Sequence, residues 1–173
     1  MNIKILKIEI FKLNVEIKIP IKILLGGSDS AENLAIKITT DTGIVGWGES
    51  SPCAVITGDS QDTNYVIAQT IARIIKSKDA LAIESRMQDI NSVTVGDSSV
   101  RSAFDMALYD IAAKAANMPL YQFLGGELRE LRTDLTIGIK DTVAETLAQA
   151  KSIMEAGFNA IKLKVGRPGL EDV

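Results

Sequence analysis

The segment 158–166 constrains the fold of this chain more than any other part of the sequence. Lysines alternate with apolar residues in it, which predicts a β-strand with Lys162 and Lys164 on one face and Ile161, Leu163 and Val165 on the other. A predicted helix over 142–156 precedes this strand, and a predicted strand over 134–139 precedes the helix. Because a helix connects the two strands, we expect them to be parallel neighbours in one sheet.

The position of the two lysines favours a chemical role. Parallel sheets are usually covered on both faces, so Lys162 and Lys164 would be shielded from water. A shielded lysine beside a second ammonium group gives up its proton more easily and can act as a general base. Lysine also alternates with apolar residues at Lys4, Lys7 and Lys12. Such a pattern is usually a solvated face, so only the β-α-β setting supports the chemical interpretation.

The residues before this unit predict an α+β domain over 1–126. Strands are expected over 3–15, 33–40 and 44–49, with a turn at Gly43 between the second and third. They would form a three-stranded antiparallel sheet.

Helices are expected to follow the sheet. The first, over 63–76, would carry on one face Val66, Ile67, Thr70, Ile71, Ile74 and Ile75. A second is predicted over 79–91. A third would be capped by Ser98 or Ser99. Gly125-Gly126 then predicts a boundary, which places the second domain at 127–173.

Composition excludes several kinds of function. The sequence of 173 residues contains no histidine, which excludes a histidine base, a Ser-His triad and a histidine-ligated zinc site within it. The net charge of −3 gives no electrostatic reason to expect nucleic acid or a membrane as a partner. Cys53 is the only cysteine, and the N-terminal residues read as a strand, not a signal peptide. We therefore expect a cytoplasmic protein.

Six stretches together resemble a known family. They are Thr42-Gly43-Ile44-Val45-Gly46-Trp47-Gly48-Glu49, Val55-Ile56-Thr57-Gly58-Asp59, Ala103-Phe104-Asp105-Met106-Ala107-Leu108-Tyr109-Asp110-Ile111, Leu124-Gly125-Gly126, Thr136-Ile137-Gly138-Ile139 and Lys162-Leu163-Lys164-Val165-Gly166. The chain resembles the enolase superfamily, in its muconate-lactonizing-enzyme subgroup, and there the dipeptide epimerases of the L-Ala-D/L-Glu type. The likeness covers nearly all of the sequence.

The resemblance implies a fold. An α+β capping domain would cover the mouth of a (β/α)7β barrel of the TIM type, and the β-α-β unit would be the start of that barrel, truncated after its second strand. We therefore expect this chain to be the N-terminal portion of a longer enzyme and to be inactive by itself.

The resemblance also implies a reaction, the Mg²⁺-dependent epimerisation of dipeptides by α-proton abstraction through an enediolate. Lys164 would be the base and Lys162 its neighbour near the substrate carboxylate. The substrate-binding residues would be Thr136, Ile56, Gly26 and Leu25. No metal ligand is expected in this chain, because the family's acidic ligands would follow Val173. The implied partners are a small dipeptide substrate and further copies of the same chain.

One departure from the family pattern bears on the substrate. The Ala-Glu epimerases carry an arginine in the first loop, which pairs with the substrate's side-chain carboxylate, and the matching position here is Gly26. Without a bidentate partner for a carboxylate, we expect a dipeptide with a small first residue and an apolar or neutral second one.

Two alternatives stay open. The same fold performs other reactions of the subgroup: cycloisomerisation of muconate, o-succinylbenzoate synthesis and racemisation of N-acylamino acids. The chain could instead be a non-catalytic binding module that acts through its loops or sheet. The Ile56-Thr57-Gly58-Asp59 stretch favours the epimerase, although a loop packed on its own domain could carry the same residues.

Overall fold

The computed structural model describes residues 2–17 and 30–166. Their contacts divide them into two compact units. Residues 2–16 and 30–128 form the first unit, and the second contains residues 129–166. The predicted domain bounds, 1–126 and 127–173, stay a prediction.

The first unit contains a three-stranded antiparallel sheet in the order β1-β2-β3. The strands are β1 (Ile5–Glu16), β2 (Ser30–Thr40) and β3 (Val45–Ser50). Gly43 has a φ of +82° in the turn between β2 and β3, a conformation that glycine adopts without strain. The alternation of apolar and polar residues, read from the sequence, is confirmed for this sheet.

Four helices follow the sheet in the first unit. They are α1 (Gln61–Ile75), α2 (Ile83–Asn91), α3 (Ser98–Ala115) and α4 (Leu120–Phe123). Ser60 caps α1 with a reciprocal pair of bonds to Thr63. The core lies between one face of the sheet and the helices, and Ile36, Ile38 and Phe104 are fully buried in it.

Two details of the predicted helices are wrong. On the predicted apolar face of α1, Ile71 and Ile75 are buried, but Val66 is 60% exposed and Ile74 37% exposed, because the helix turns Ala68 to the core with the two isoleucines. Isoleucine and valine occur around the whole of this helix, so periodicity alone could not select the buried face. The cap of α3 is Asp97, at a φ of +53°, and not a serine.

Two glycines bring β3 against the backbone of α3. A Cβ atom built on Gly46 would lie 2.1 Å from the carbonyl oxygen of Ala107, and one on Gly48 would lie 1.8 Å from that of Ala103. These distances are far inside van der Waals contact, so any side chain would force the helix away from the strand. The Gly-Trp-Gly sequence therefore sets the spacing of the sheet and α3.

Side chains of α3 also bond the outer edge of β3. The backbone N–H of Trp47 donates to the Asp110 carboxylate at 2.9 Å. The Lys114 ammonium donates to the carbonyl of Val45 at 2.7 Å and to Asp110 at the same distance. These bonds satisfy backbone groups that β2 does not reach.

The second unit begins with a parallel β-α-β arrangement. Its elements are β4 (Leu135–Ile137), α5 (Val143–Glu155) and β5 (Ile161–Leu163), and β4 pairs with β5 in parallel. Thr142 and Glu145 form a capping box at the start of α5, and Gly157 takes a φ of +93° after the helix. This confirms the predicted fold class of an α+β domain followed by the first β-α-β of a barrel, with strands shorter than expected.

Among the described residues, no helix is both long enough and apolar enough to cross a membrane.

Replacing Gly48 with alanine tests the contact between β3 and α3. Because the new methyl group would meet a backbone oxygen that cannot rotate away, we expect Gly48→Ala to lower the free energy of unfolding by about 1–3 kcal/mol or more. Urea unfolding of this chain measures the loss. Gly96→Ala is the matched control, since nothing lies within 4 Å of a Cβ there. A Gly48 variant as stable as the Gly96 variant would contradict the close contact.

Candidate active site

The structure brings three of the predicted site residues together on the second unit. Thr136 of β4 and Lys162 of β5 are direct partners in the parallel register. The backbone N–H of Lys164 donates to the carbonyl of Ile137 at 3.0 Å, which continues the strand pairing beyond β5. Since side chains alternate along a strand, Lys162 and Lys164 lie on the same face as Thr136, about 7 Å apart along the strand.

The opposite face of this two-stranded sheet is the packed one. Ile137 is 1% exposed and Ile153 of α5 is 3% exposed, and α5 contacts β4. The lysine face differs, because Lys162 is exposed and Lys164 is half-buried. The expected cover on both faces is therefore absent from the described residues of this unit. Two strands and one helix can cover only one face.

Ile56 belongs to the first unit, in the loop of residues 51–59 between β3 and α1. Its side chain is 72% exposed and that of Val55 is 53% exposed. An exposed pair of large aliphatic residues at a loop tip is suited to contact an apolar group. Gly26 and Leu25, the other predicted substrate-binding residues, lie outside the described residues.

The loop that carries Ile56 ends at a buried carboxylate that sequence reasoning did not single out. Asp59 is 4% exposed. Its Oδ1 accepts a hydrogen bond from the Thr57 hydroxyl, and its Oδ2 accepts one from the Ser99 hydroxyl of α3. Ser99 in turn accepts a bond from the Asn64 amide at 2.6 Å. The bonded residues are up to 40 positions apart in the sequence, so no local pattern could have revealed the cluster.

Hydrogen bonding decides the charge state of Asp59. Burial by itself would raise the pKa of this carboxyl, but bonds from Ser99, Thr57 and Asn64 favour the ionised form more strongly. The net effect holds the pKa of Asp59 below its ordinary value of 3.8. Near neutral pH the loop therefore ends in a buried, ionised and fully bonded carboxylate.

Metal ligands are not grouped in the part of the chain that the structure describes. Residues 2–17 and 30–166 contain no cluster of three or more His, Cys, Asp or Glu side chains that could hold a metal ion. The described donor set does not fit a divalent cation.

Comparison with known families identifies the fold. Residues 5–125 match the sequence profile of the mandelate racemase / muconate lactonizing enzyme N-terminal domain. The chain belongs to this family. Membership of the mandelate racemase / muconate lactonizing enzyme family confirms the resemblance inferred from the six sequence stretches.

Similar proteins of this family carry related names. The D-Ala-D/L-Ala epimerase of Cytophaga hutchinsonii is 39% identical over 94% of this chain and 44% of its own length. The L-Ala-D/L-Glu epimerase of Bacillus subtilis is 37% identical over 95% of this chain and 45% of its own length. The chain thus spans less than half the length of these curated relatives.

A solved structure of a dipeptide epimerase is similar to this chain over most of its length. The crystal structure of the dipeptide epimerase from Cytophaga hutchinsonii, complexed with Mg and the dipeptide D-Ala-L-Val, matches with a TM-score of 0.90 at 38% identity. The match covers 96% of this chain and 45% of that one.

The charge on Asp59 predicts a stability change in acid. A carboxyl whose pKa is lower in the folded state stabilises the fold above its unfolded pKa, near 3.8, and this contribution is lost as the pH falls through the folded pKa. Asp59→Asn cannot titrate. The difference in unfolding free energy between the natural chain and this variant should therefore be constant near neutral pH and shrink as the pH falls toward and below 3.8.

Urea unfolding at a series of pH values measures this difference. Ser99→Ala removes one donor to the carboxylate and should reduce the acid-dependent part, whereas Ser98→Ala, at the exposed neighbouring position, should not. A pH-independent difference for Asp59→Asn would show that the carboxylate is not held ionised by the fold.

Proposed function

We propose that the protein to which these residues belong epimerises dipeptides by removing an α-proton and forming an enediolate. The observation that carries the proposal is the placement of Lys162 and Lys164 on one face of β5 beside Thr136, in a chain that is similar over 94% of its length to a D-Ala-D/L-Ala epimerase. Amine bases at the end of a parallel strand suit proton abstraction next to a carbonyl group.

The roles follow from the positions along β5. Lys164 is the proposed base, because it lies at the carboxyl end of the strand and is the more buried of the two lysines. Lys162 adds a second positive charge on the same face, which attracts a substrate carboxylate. Thr136 offers a hydroxyl group on the neighbouring strand. Ile56 is proposed to contact the substrate's apolar side chain.

Mg²⁺ is part of the proposal as the cofactor of the complete enzyme. The Cytophaga hutchinsonii structure contains Mg with its dipeptide. Because the described residues hold no cluster of metal ligands, none of them is assigned to the cation. Cytoplasmic location, assembly of identical subunits and the lack of a nucleic-acid or membrane partner stay predictions from the sequence.

Replacement of Lys164 tests the proposed base. In the complete natural protein, Lys164→Met should lower the rate at which the substrate α-proton exchanges for deuterium by about 10²-fold or more. No other amine takes its position at the strand end. Exchange in D₂O is followed by NMR with D-Ala-L-Val and L-Ala-L-Val as substrates.

Lys151→Met is the matched control, since Lys151 is an exposed lysine of α5. Unchanged exchange in the Lys164 variant would overturn its role as base. A natural protein that exchanges no dipeptide proton but acts on muconate, an o-succinylbenzoate precursor or an N-acylamino acid would favour the alternative reactions of the family.

The side-chain preference is a separate prediction. Because Gly26 cannot pair with a carboxylate and Ile56 is apolar, kcat/KM should be about tenfold or more higher for Ala-Val than for Ala-Glu. Epimerisation rates on a panel of dipeptides that keep alanine as the first residue measure this ratio. A preference for Ala-Glu would contradict the proposed substrate class while leaving the reaction itself in place.

A further inference from the structure

The 51–59 loop is closed on itself near its tip. The carbonyl of Cys53 accepts hydrogen bonds from the backbone N–H groups of Ile56 at 2.9 Å and Thr57 at 2.7 Å. The N–H of Cys53 donates to the Thr57 hydroxyl at 2.9 Å. These bonds form a compact turn that presents the Ile56 side chain to solvent, but they do not attach the turn to the rest of the unit.

Asp59 provides that attachment. One of its oxygens accepts a hydrogen bond from the hydroxyl group of Thr57, which belongs to the turn. The other accepts a hydrogen bond from the hydroxyl group of Ser99, near the start of α3. Ser99 is bonded to Asn64 of α1, and Asn64 also donates to Ser50 at the end of β3 at 2.9 Å. The carboxylate therefore links the turn to three elements of the packed unit.

The attachment point on α3 is rigid. This helix lies in backbone contact with β3 at Gly46 and Gly48, so its position relative to the sheet leaves no room for adjustment. The chain after Asp59 is also fixed, because Ser60 begins α1 with its capping box. The link through Asp59 therefore attaches the turn to a closely packed part of the unit.

A carboxylate is well suited to this link. Each of its oxygens accepts a bond from a hydroxyl group, and an ionised acceptor makes such bonds stronger than neutral ones. An asparagine of the same shape would present an N–H₂ group to one of the two hydroxyl groups. Removal of one partner from a buried bonded group costs more than the bond itself contributes, because the other partner is left unsatisfied.

We propose that Asp59 is a positioning residue for substrate specificity: through Thr57 and Ser99 it fixes the turn that carries Ile56, and so sets which dipeptide side chains are accepted. The second part of this inference rests on the proposed epimerase function. The first part, the anchoring of the turn, does not.

Hydrogen exchange tests the anchoring without any substrate. In this chain, Asp59→Asn and Ser99→Ala should each accelerate exchange of the Ile56 and Thr57 backbone amides by about tenfold or more, because the turn opens more often when its link is weakened. Exchange in β1, β2 and β3 should accelerate by no more than the loss of unfolding free energy in urea accounts for. Ser98→Ala is the control at the neighbouring exposed position. If Asp59→Asn does not fold, the milder Ser99→Ala variant decides the outcome.

The role in specificity is tested by steady-state kinetics of the complete natural protein. Ser99→Ala should raise KM for Ala-Val by about tenfold, with kcat nearly kept, and reduce the discrimination against other side chains. A general loss of folded protein would lower the amount of active enzyme and leave KM unchanged, so the two effects are distinguishable.

Each result decides one part of the inference. Unchanged amide exchange in both variants overturns the anchoring. Faster exchange with unchanged KM in a protein that does epimerise dipeptides overturns the role in specificity. A natural protein without epimerase activity refutes the proposed function and the specificity role that depends on it, whereas the exchange result still decides the anchoring.

Discussion

The contact between α3 and β3 is the constraint on which the first unit depends. Two glycines separated by Trp47 remove the side chains that would otherwise hold a helix about 10 Å from a sheet, and alanines at 103 and 107 do the same on the helix. Carbonyl groups of the helix then lie directly over the strand. This contact sets the position of α3. It thereby also positions the core around Phe104 and the bond from Ser99 to Asp59.

The two units differ in whether the described residues bond and cover their functional polar side chains. In the first unit, the polar cluster around Asp59 satisfies both carboxylate oxygens inside a packed structure. In the second, the lysine face of β4 and β5 is open, and only the face with Ile137 is covered. β4, α5 and β5 therefore leave Lys162 exposed and Lys164 half-buried.

Local sequence patterns predicted much of the fold. The features that they did not predict depend on contacts between residues far apart in the sequence. Alternation identified the strands, and the capping box at Thr142 and the positive φ of Gly157 confirm local rules for a helix and its ends. The buried face of α1 was predicted only in part, because its apolar residues surround the helix and only tertiary packing selects among them. Ser99 was predicted as a cap but donates to Asp59, a partner 40 residues away that no spacing rule indicates. For the candidate site, the parallel pairing of β4 and β5 followed from the β-α-β order, whereas the register of Thr136 with Lys162 and the exposure of Lys162 did not.

The bonds that α3 makes to β3 have a consequence for association. An edge strand normally offers free N–H and C=O groups to which a strand of another molecule can add. At β3 the outward N–H of Trp47 and the outward carbonyl of Val45 are already occupied by Asp110 and Lys114. An incoming strand would have to displace an ion pair anchored on a fixed helix. The helix that positions the sheet therefore also prevents another strand from adding at the β3 edge.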